Sequence, residues 1–190
     1  MSTFLLEIGT EELPADFARL ALPQLEQLVR RDLATLRLSH ERVYCTSTPR
    51  RLVVSVTGLP HRQPDLEEER KGPPQAQAQA LKDGQPTAAA LGFAKRCGVA
   101  PEALEIRDTA KGPFLFARCL EPGQPTTDVL ATQVPLWIEA LQGRRFMRWG
   151  EGESRFSRPV RWLVALLDSE LVAVTLAGSD PVVTAGKESR

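Results

Sequence analysis

The sequence has 190 residues, 42% of them hydrophobic and 25% charged, a balance that suits a folded chain with a sizeable core and excludes extensive disorder, a collagen-like repeat and a disulfide-stapled miniprotein. Lys and Arg number 24 against 24 Asp and Glu, so bulk positive charge does not hold nucleic acid here and any charge-based function is local. Arg outnumbers Lys 19 to 5, which favours planar, bidentate or stacking contacts, although a genomic bias produces the same ratio.

Residues 4–8 form a short apolar run closed by Gly9 and read as a strand whose length suits burial on both faces. A helical pattern follows. Pro14 suits a first turn, and Glu11 and Glu12 stand where a helix dipole favours negative charge. Pro23 is expected to divide this region into a short helix carrying Phe17, Leu20 and Ala21 and a longer one carrying Leu25, Leu28, Val29, Leu33 and Leu36 on one face. Residues 43–45 and 52–57 read as two strands, which makes 1–59 a β-α-β-β lobe. Residues 60–80 change character, with Glu67-Glu68-Glu69, then Pro73-Pro74, then alternating Gln and Ala, and read as a linker or long loop.

Residues 81–190 read as an α+β lobe. Asp83-Gly84 and Pro86-Thr87 open a helix bearing Leu91, Ala94 and Cys97 that stops at Gly98. Residues 104–107 and 114–120 form a hairpin across Lys111-Gly112, and 129–141 a helix with Leu130, Val134, Trp137, Ile138 and Leu141 on one stripe and Pro135 placed to kink it. Residues 162–167 and 171–176 form a second hairpin. The fold class is α+β, a mixed sheet with packed helices in two lobes joined by the Pro/Glu/Gln-rich segment.

Cys45, Cys97 and Cys119 lie far apart with only His40 and His61 beside them, so no metal site is expected. The odd cysteine count, with Glu7, Glu11 and Glu12 where an apolar leader would stand, points to a reducing, cytoplasmic setting. No apolar run approaches the roughly 20 residues of a membrane span.

The densest candidate for function is 144–161, where Arg144, Arg145, Arg148, Arg155, Arg158 and Arg161 face Glu151 and Glu153 for a net charge of +4. Phe146, Trp149, Phe156 and Trp162 are interleaved, and arginine beside aromatic faces is the pairing that holds phosphates and unstacked bases. The same residues equally describe a structural loop, with the arginines paired to Glu151, Glu153 and Asp168 and the aromatics packed. A second cluster, Thr48-Pro49-Arg50-Arg51, precedes a strand, where adjacent arginines point to opposite faces and at most one meets a given ligand.

Gly150-Glu151-Gly152 lacks the third glycine and the Lys-Ser/Thr of a nucleotide loop. Glu7, Glu11 and Glu12 have nothing nearby to raise a pKa, and helix capping is the simpler role for Glu11 and Glu12. Two histidines build no convincing nucleophilic triad, so no catalytic residue is expected in this chain.

Seven collinear stretches carry a resemblance: Leu6-Glu7-Ile8-Gly9-Thr10-Glu11-Glu12-Leu13-Pro14, Thr48-Pro49-Arg50-Arg51-Leu52, Lys71-Gly72-Pro73, Gly92-Phe93-Ala94-Lys95-Arg96-Cys97-Gly98-Val99, Lys111-Gly112-Pro113-Phe114-Leu115-Phe116-Ala117-Arg118, Met147-Arg148-Trp149-Gly150 and the run 155–166 from Arg155-Phe156-Ser157-Arg158-Pro159 onward. In order and spacing they resemble the N-terminal part of the β subunit of bacterial glycyl-tRNA synthetase. The resemblance implies a piece of a longer subunit, in a heterotetramer of two α and two β subunits that joins glycine to its tRNA using ATP. It places glycine, ATP and accompanying Mg on the α subunit and leaves tRNA engagement to β, with no cofactor in this segment. On that basis Arg148, Arg155, Arg158 and Arg161, with Arg50 and Arg51, are the expected tRNA contacts. The rival expectation is an assembly module that docks on the α subunit without touching tRNA, its arginines in buried ion pairs. An editing domain would need a polar pocket with a perturbed titratable group, for which Glu11 and Glu12 are the sole candidates.

Overall fold

Strand β1 (Ser2–Thr10) is the spine of the larger sheet, with Phe4, Leu6 and Ile8 fully buried on one face. It pairs antiparallel with β3 (Arg51–Leu59) on one side and β9 (Val160–Leu167) on the other. The computed structural model describes residues 1–75 and 87–189. Beyond β3 lies β2 (Arg42–Thr48). Beyond β9 lie β12 (Val183–Gly186), parallel to it, and β11 (Thr175–Leu176), while the short β10 (Glu170–Leu171) also pairs with β9. The sheet is mixed, and with its packed helices the fold is α+β as expected.

Two helices cover one face of this sheet. Helix α1 (Ala15–Thr35) and helix α3 (Thr126–Ala140) bury their stripes against Phe4, Leu6, Ile8, Leu52, Val54, Val56, Leu163, Ala165 and Leu167. Phe4 meets the ring of fully buried Trp137 with centroids 6.5 Å apart. Gln133 Nε2 and Trp137 Nε1 both donate to Asp32 Oδ2, at 2.9 and 3.1 Å, and lock α3 to α1.

Pro23 does not divide α1. Phe17, Ala21, Leu25, Val29 and Leu33 repeat every four residues in one buried stripe that crosses the proline without a gap. Burying five such side chains outweighs the roughly 3 kcal/mol of an interior proline. Gln24 Nε2 adds a hydrogen bond to Leu20 O at 2.9 Å in the turn that Pro23 leaves one donor short. Helix α3 likewise runs through Pro135. Pro14 occupies the N-cap position of α1 with no side-chain cap, so the expected capping by Glu11 and Glu12 is not what this turn uses.

The chain divides into two compact units, Met1–Gln63 with Gln124–Arg190, and Pro64–Gly123. The expected boundaries of 1–59, 60–80 and 81–190 differ from this. Residues Leu66–Pro74 are strand β4, not linker, because their backbone completes the edge of β6 (Gly112–Glu121) while their charged side chains reach solvent. The C-terminal stretch returns as α3 and β9 to the N-terminal sheet, whose apolar face its own apolar residues match. Residues 76–80 of the expected linker, and 83–86 at the expected start of the next helix, lie outside the described residues.

In the smaller unit β4, β6 and β5 (Glu105–Thr109) form an antiparallel sheet in that order. Helix α2 (Ala88–Cys97) packs Ala90, Phe93 and Cys97 on Leu115, Ala117 and Cys119. Thr87 Oγ1 caps its N-terminus by accepting from Ala90 N–H at 3.4 Å, and Gly98 ends it at φ 65°, as its sequence predicts. The expected strand over 171–176 is broken. Val172 N–H still bonds Ala165 O, but Val174 N–H turns back to Val172 O, and the chain moves from β9 to pair with β12 as β11.

Candidate functional site

Three backbone hydrogen bonds gather separate stretches of chain around the β1–α1 connection. Thr10 N–H donates to Arg50 O at 2.8 Å, Leu13 N–H to Pro49 O at 2.7 Å, and Glu11 N–H to Pro159 O at 3.3 Å. The β2–β3 turn and the segment leading into β9 are thereby fixed beside Pro14. Arg50 and Arg158 line one depression there with Glu11, Glu12, Leu13 and Pro14. Arg158 and Pro14 also border an adjoining cleft whose far wall carries Arg144, Arg145 and Met147, with Asp16 at its edge. Four guanidinium groups, Arg50 from the β2–β3 turn and Arg144, Arg145 and Arg158 from the C-terminal cluster, thus stand around the first turn of α1.

Arg158 is held by Nη1 donating to Ser157 O at 2.9 Å. Arg161 reaches the same connection, its Nε donating to Glu11 Oε1 at 2.8 Å, with both side chains nearly half exposed at 47% and 44%. This pair is solvated, so its net contribution to stability is small. Arg148 and Arg155 stand opposite each other in the ribbon of β7 (Met147–Arg148) and β8 (Arg155–Phe156), both exposed. Among the described residues, none of the arginines between 144 and 161 pairs with Glu151, Glu153 or Asp168. Asp168 instead accepts from Thr3 N–H at 2.8 Å, and that bond, aided by Ser2, holds its carboxyl below the usual range.

Arg51 sits apart from the cluster. Its Nη1 donates to Glu7 Oε2 at 3.1 Å and to Ser189 Oγ at 2.8 Å, and its guanidinium lies 5.8 Å from the Trp162 ring centroid. Glu7, 9% exposed, also accepts from Trp162 Nε1 at 2.6 Å and Ser189 Oγ at 2.7 Å. Trp162 covers Gly9 so closely that no Cβ fits there. Sequence reasoning gave Glu7 no partner. The signal was its place in an otherwise apolar strand, since a carboxylate there needs a cation and donors.

The aromatics of 144–162 are structural. Phe17, Phe146 and Phe156 meet at centroid distances of 5.5 to 5.6 Å, and Trp149 Nε1 donates to Phe156 O at 3.1 Å. Their rings are committed to packing, which leaves the arginines as the groups free to meet a ligand. Chemically, guanidinium forks match phosphate and carboxylate, and here they stand beside Glu11, Glu12 and Asp16 in the same depressions. Among the described residues no cluster of three or more His, Cys, Asp or Glu side chains is placed to hold a metal ion, and no helix is long and apolar enough to cross a membrane.

Residues 4–190 match the family described as glycyl-tRNA synthetase beta subunit. The chain is 50% identical over 190 residues to a glycine–tRNA ligase beta subunit from Synechocystis sp., covering all of this chain and 26% of that protein. It is 48% identical over 189 residues to the one from Acaryochloris marina, with 100% and 26% covered, and 45% identical over 174 residues to the one from Moorella thermoacetica, with 92% and 25% covered. The chain therefore spans about a quarter of the length of these relatives. By this match along nearly its whole length, the chain belongs to the glycyl-tRNA synthetase beta subunit family.

Proposed function

We propose that this chain is the N-terminal region of a glycine–tRNA ligase β subunit and supports the ATP-dependent attachment of glycine to tRNA in the cytoplasm by engaging tRNA and helping to assemble the enzyme. Glycine, ATP and Mg belong in this reading to the α subunit of a two-α, two-β heterotetramer. The observation that carries it is the convergence of Arg50, Arg158, Arg144 and Arg145 around Pro14 in a chain of zero net charge. Evenly mixed charges would scatter them. Gathered, they offer forked donors to successive phosphates, while Arg148, Arg155 and Arg161 extend the cationic surface. Arg51 serves in this reading by holding Glu7.

The test is the Arg50→Ala, Arg158→Ala double variant in the full-length enzyme. Its tRNA affinity falls about tenfold and the slope of log affinity against log salt becomes shallower by about 2, while glycine-dependent ATP–pyrophosphate exchange is unchanged. An unaltered affinity and slope would remove the reading.

A second reading, docking on the α subunit without tRNA contact, draws on the sheet face opposite α1 and α3. Tyr44, Leu5 and Leu171 are exposed there along one cross-strand row with Ser55 and Leu166. Loss of α-subunit capture by a Leu5→Lys variant that still binds tRNA would favour it.

A further inference from the structure

The rings of 144–162 are engaged in packing, with Phe156 and Trp162 buried and Phe146 and Trp149 half-buried, while the smaller unit carries an aromatic pair on the sheet face away from α2. Leu115, Ala117 and Cys119 of β6 point to α2, so the period of two turns Phe114, Phe116, Arg118 and Leu120 to the opposite face. Among the described residues, no helix of this unit lies on that side. Arg118 is exposed and Leu120 is 55% exposed, while the two rings are half-buried in the middle strand.

Cations from both neighbouring strands lie over these rings. Lys71 Nζ of β4 is 3.5 Å from the Phe114 centroid, and Arg107 Cζ of β5 is 5.4 Å from that of Phe116. Arg107 is tied down by Glu69 at 2.8 Å and by Glu105, whose carboxyl it holds below the usual range. Lys71 is on a flexible stem and exposed, with its charge on an aromatic face. A cation so placed can yield the ring to a base and move to the flanking phosphate.

We propose that this face of β4, β6 and β5 is a stacking surface for unpaired nucleotides of tRNA, with Phe114 and Phe116 under successive bases and Lys71 and Arg118 on the phosphates between them. Adjacent side chains on one strand face, two residues apart, match the separation of neighbouring unstacked bases, and aromatic platforms on a central strand are a general solution for single-stranded RNA. The complementarity is local: the exposed cations Lys71 and Arg118 stand beside two π faces, the carboxylates Glu69 and Glu105 of the same face are paired with Arg107, and the sheet's other face is closed by α2. This inference rests on the reading of the chain as part of a tRNA ligase and adds a second site to the arginine cluster.

The test uses the full-length enzyme with α present. Labelled tRNA is titrated over a range of salt, with a single-stranded RNA hexamer and a duplex RNA of equal length as competitors. The Phe114→Leu, Phe116→Leu double variant keeps the apolar bulk but loses the rings. Its tRNA affinity falls about tenfold or more with an unchanged salt slope, and the advantage of the hexamer over the duplex disappears. Phe116→Trp retains or strengthens binding, and Lys71→Gln makes the slope shallower. Wild-type affinity in the double variant overturns the proposal, as does equal weakening by the Leu and Trp variants or loss of α-subunit capture with tRNA affinity intact. If Arg50→Ala, Arg158→Ala weakens binding and the ring variants do not, this inference alone fails; if neither does, the tRNA reading fails with it.

Discussion

Trp162 in the larger unit and Phe116 in the smaller each lie beside an arginine guanidinium, at 5.8 Å from Arg51 and 5.4 Å from Arg107. Chemically the pairs are alike. In the larger unit the ring is 6% exposed, donates to buried Glu7 and covers Gly9, so the arginine's charge is spent on a buried carboxylate. In the smaller unit the same pairing sits on a solvent-facing sheet, its arginine held by two exposed carboxylates. Burial, not residue type, decides whether an arginine–aromatic pair is a structural joint or a surface that a ligand can use.

Removing the ring from the buried joint is the most severe way to probe this contrast. Trp162→Ala lowers unfolding stability by about 3–5 kcal/mol in urea titrations, through the cavity and the loss of one of the three donors that Glu7 accepts from. Glu7→Gln keeps the shape and removes the charge. It is expected to cost about 1–2 kcal/mol, at the modest end for a charged hydrogen bond because Arg51 is 30% exposed. A loss below a few tenths would place Glu7 among solvated surface pairs and erase the distinction.

The smallest effect is at Asp168, an exposed carboxylate whose folded pKa is depressed by the Thr3 N–H. A depressed carboxylate stabilises the fold above its unfolded pKa of about 3.9, and that contribution disappears as pH falls through the lower folded value. Asp168→Asn is therefore less stable than the parent at pH 7, with the gap closing in the acid limb. A gap that widens on acidification would contradict the assignment.

Much of this architecture was legible because period and punctuation agree with packing. Thr87 and Gly98 bracket a helix by local chemistry alone, and Phe4, Leu6 and Ile8 announce a strand. The errors fall where a distant partner overrules the local signal. Pro23 reads as a break until the stripe from Phe17 to Leu33 finds the sheet beneath it. Leu66–Pro74 reads as linker because its strand character comes from the β6 edge and not from its own charged side chains. At the candidate site, the arginines were visible as a cluster, but Arg50 joins Arg158 through backbone bonds that link residues 10, 11 and 13 to 50, 159 and 49, which no spacing encodes. Arg51 opens β3 on the sheet face that carries Glu7, away from Leu52, Val54 and Val56, while Arg50 belongs to the turn before it.

The passage between the two units has its own consequence. Gln63 N–H bonds Gln124 O at 2.9 Å, Gln124 N–H bonds Gln63 Oε1 at 3.1 Å, and Arg62 forms a bridge with Pro125. Gln63 and Gln124 therefore already stand as the two ends of a tight turn stand, and the residues between them are a guest spliced into a host whose own ladder closes beneath the splice. A host of this kind can exchange its guest for another, or for two or three residues of turn, without giving up a hydrogen bond of its own. Variation in the length of 64–123 is thus the change that this architecture absorbs most easily.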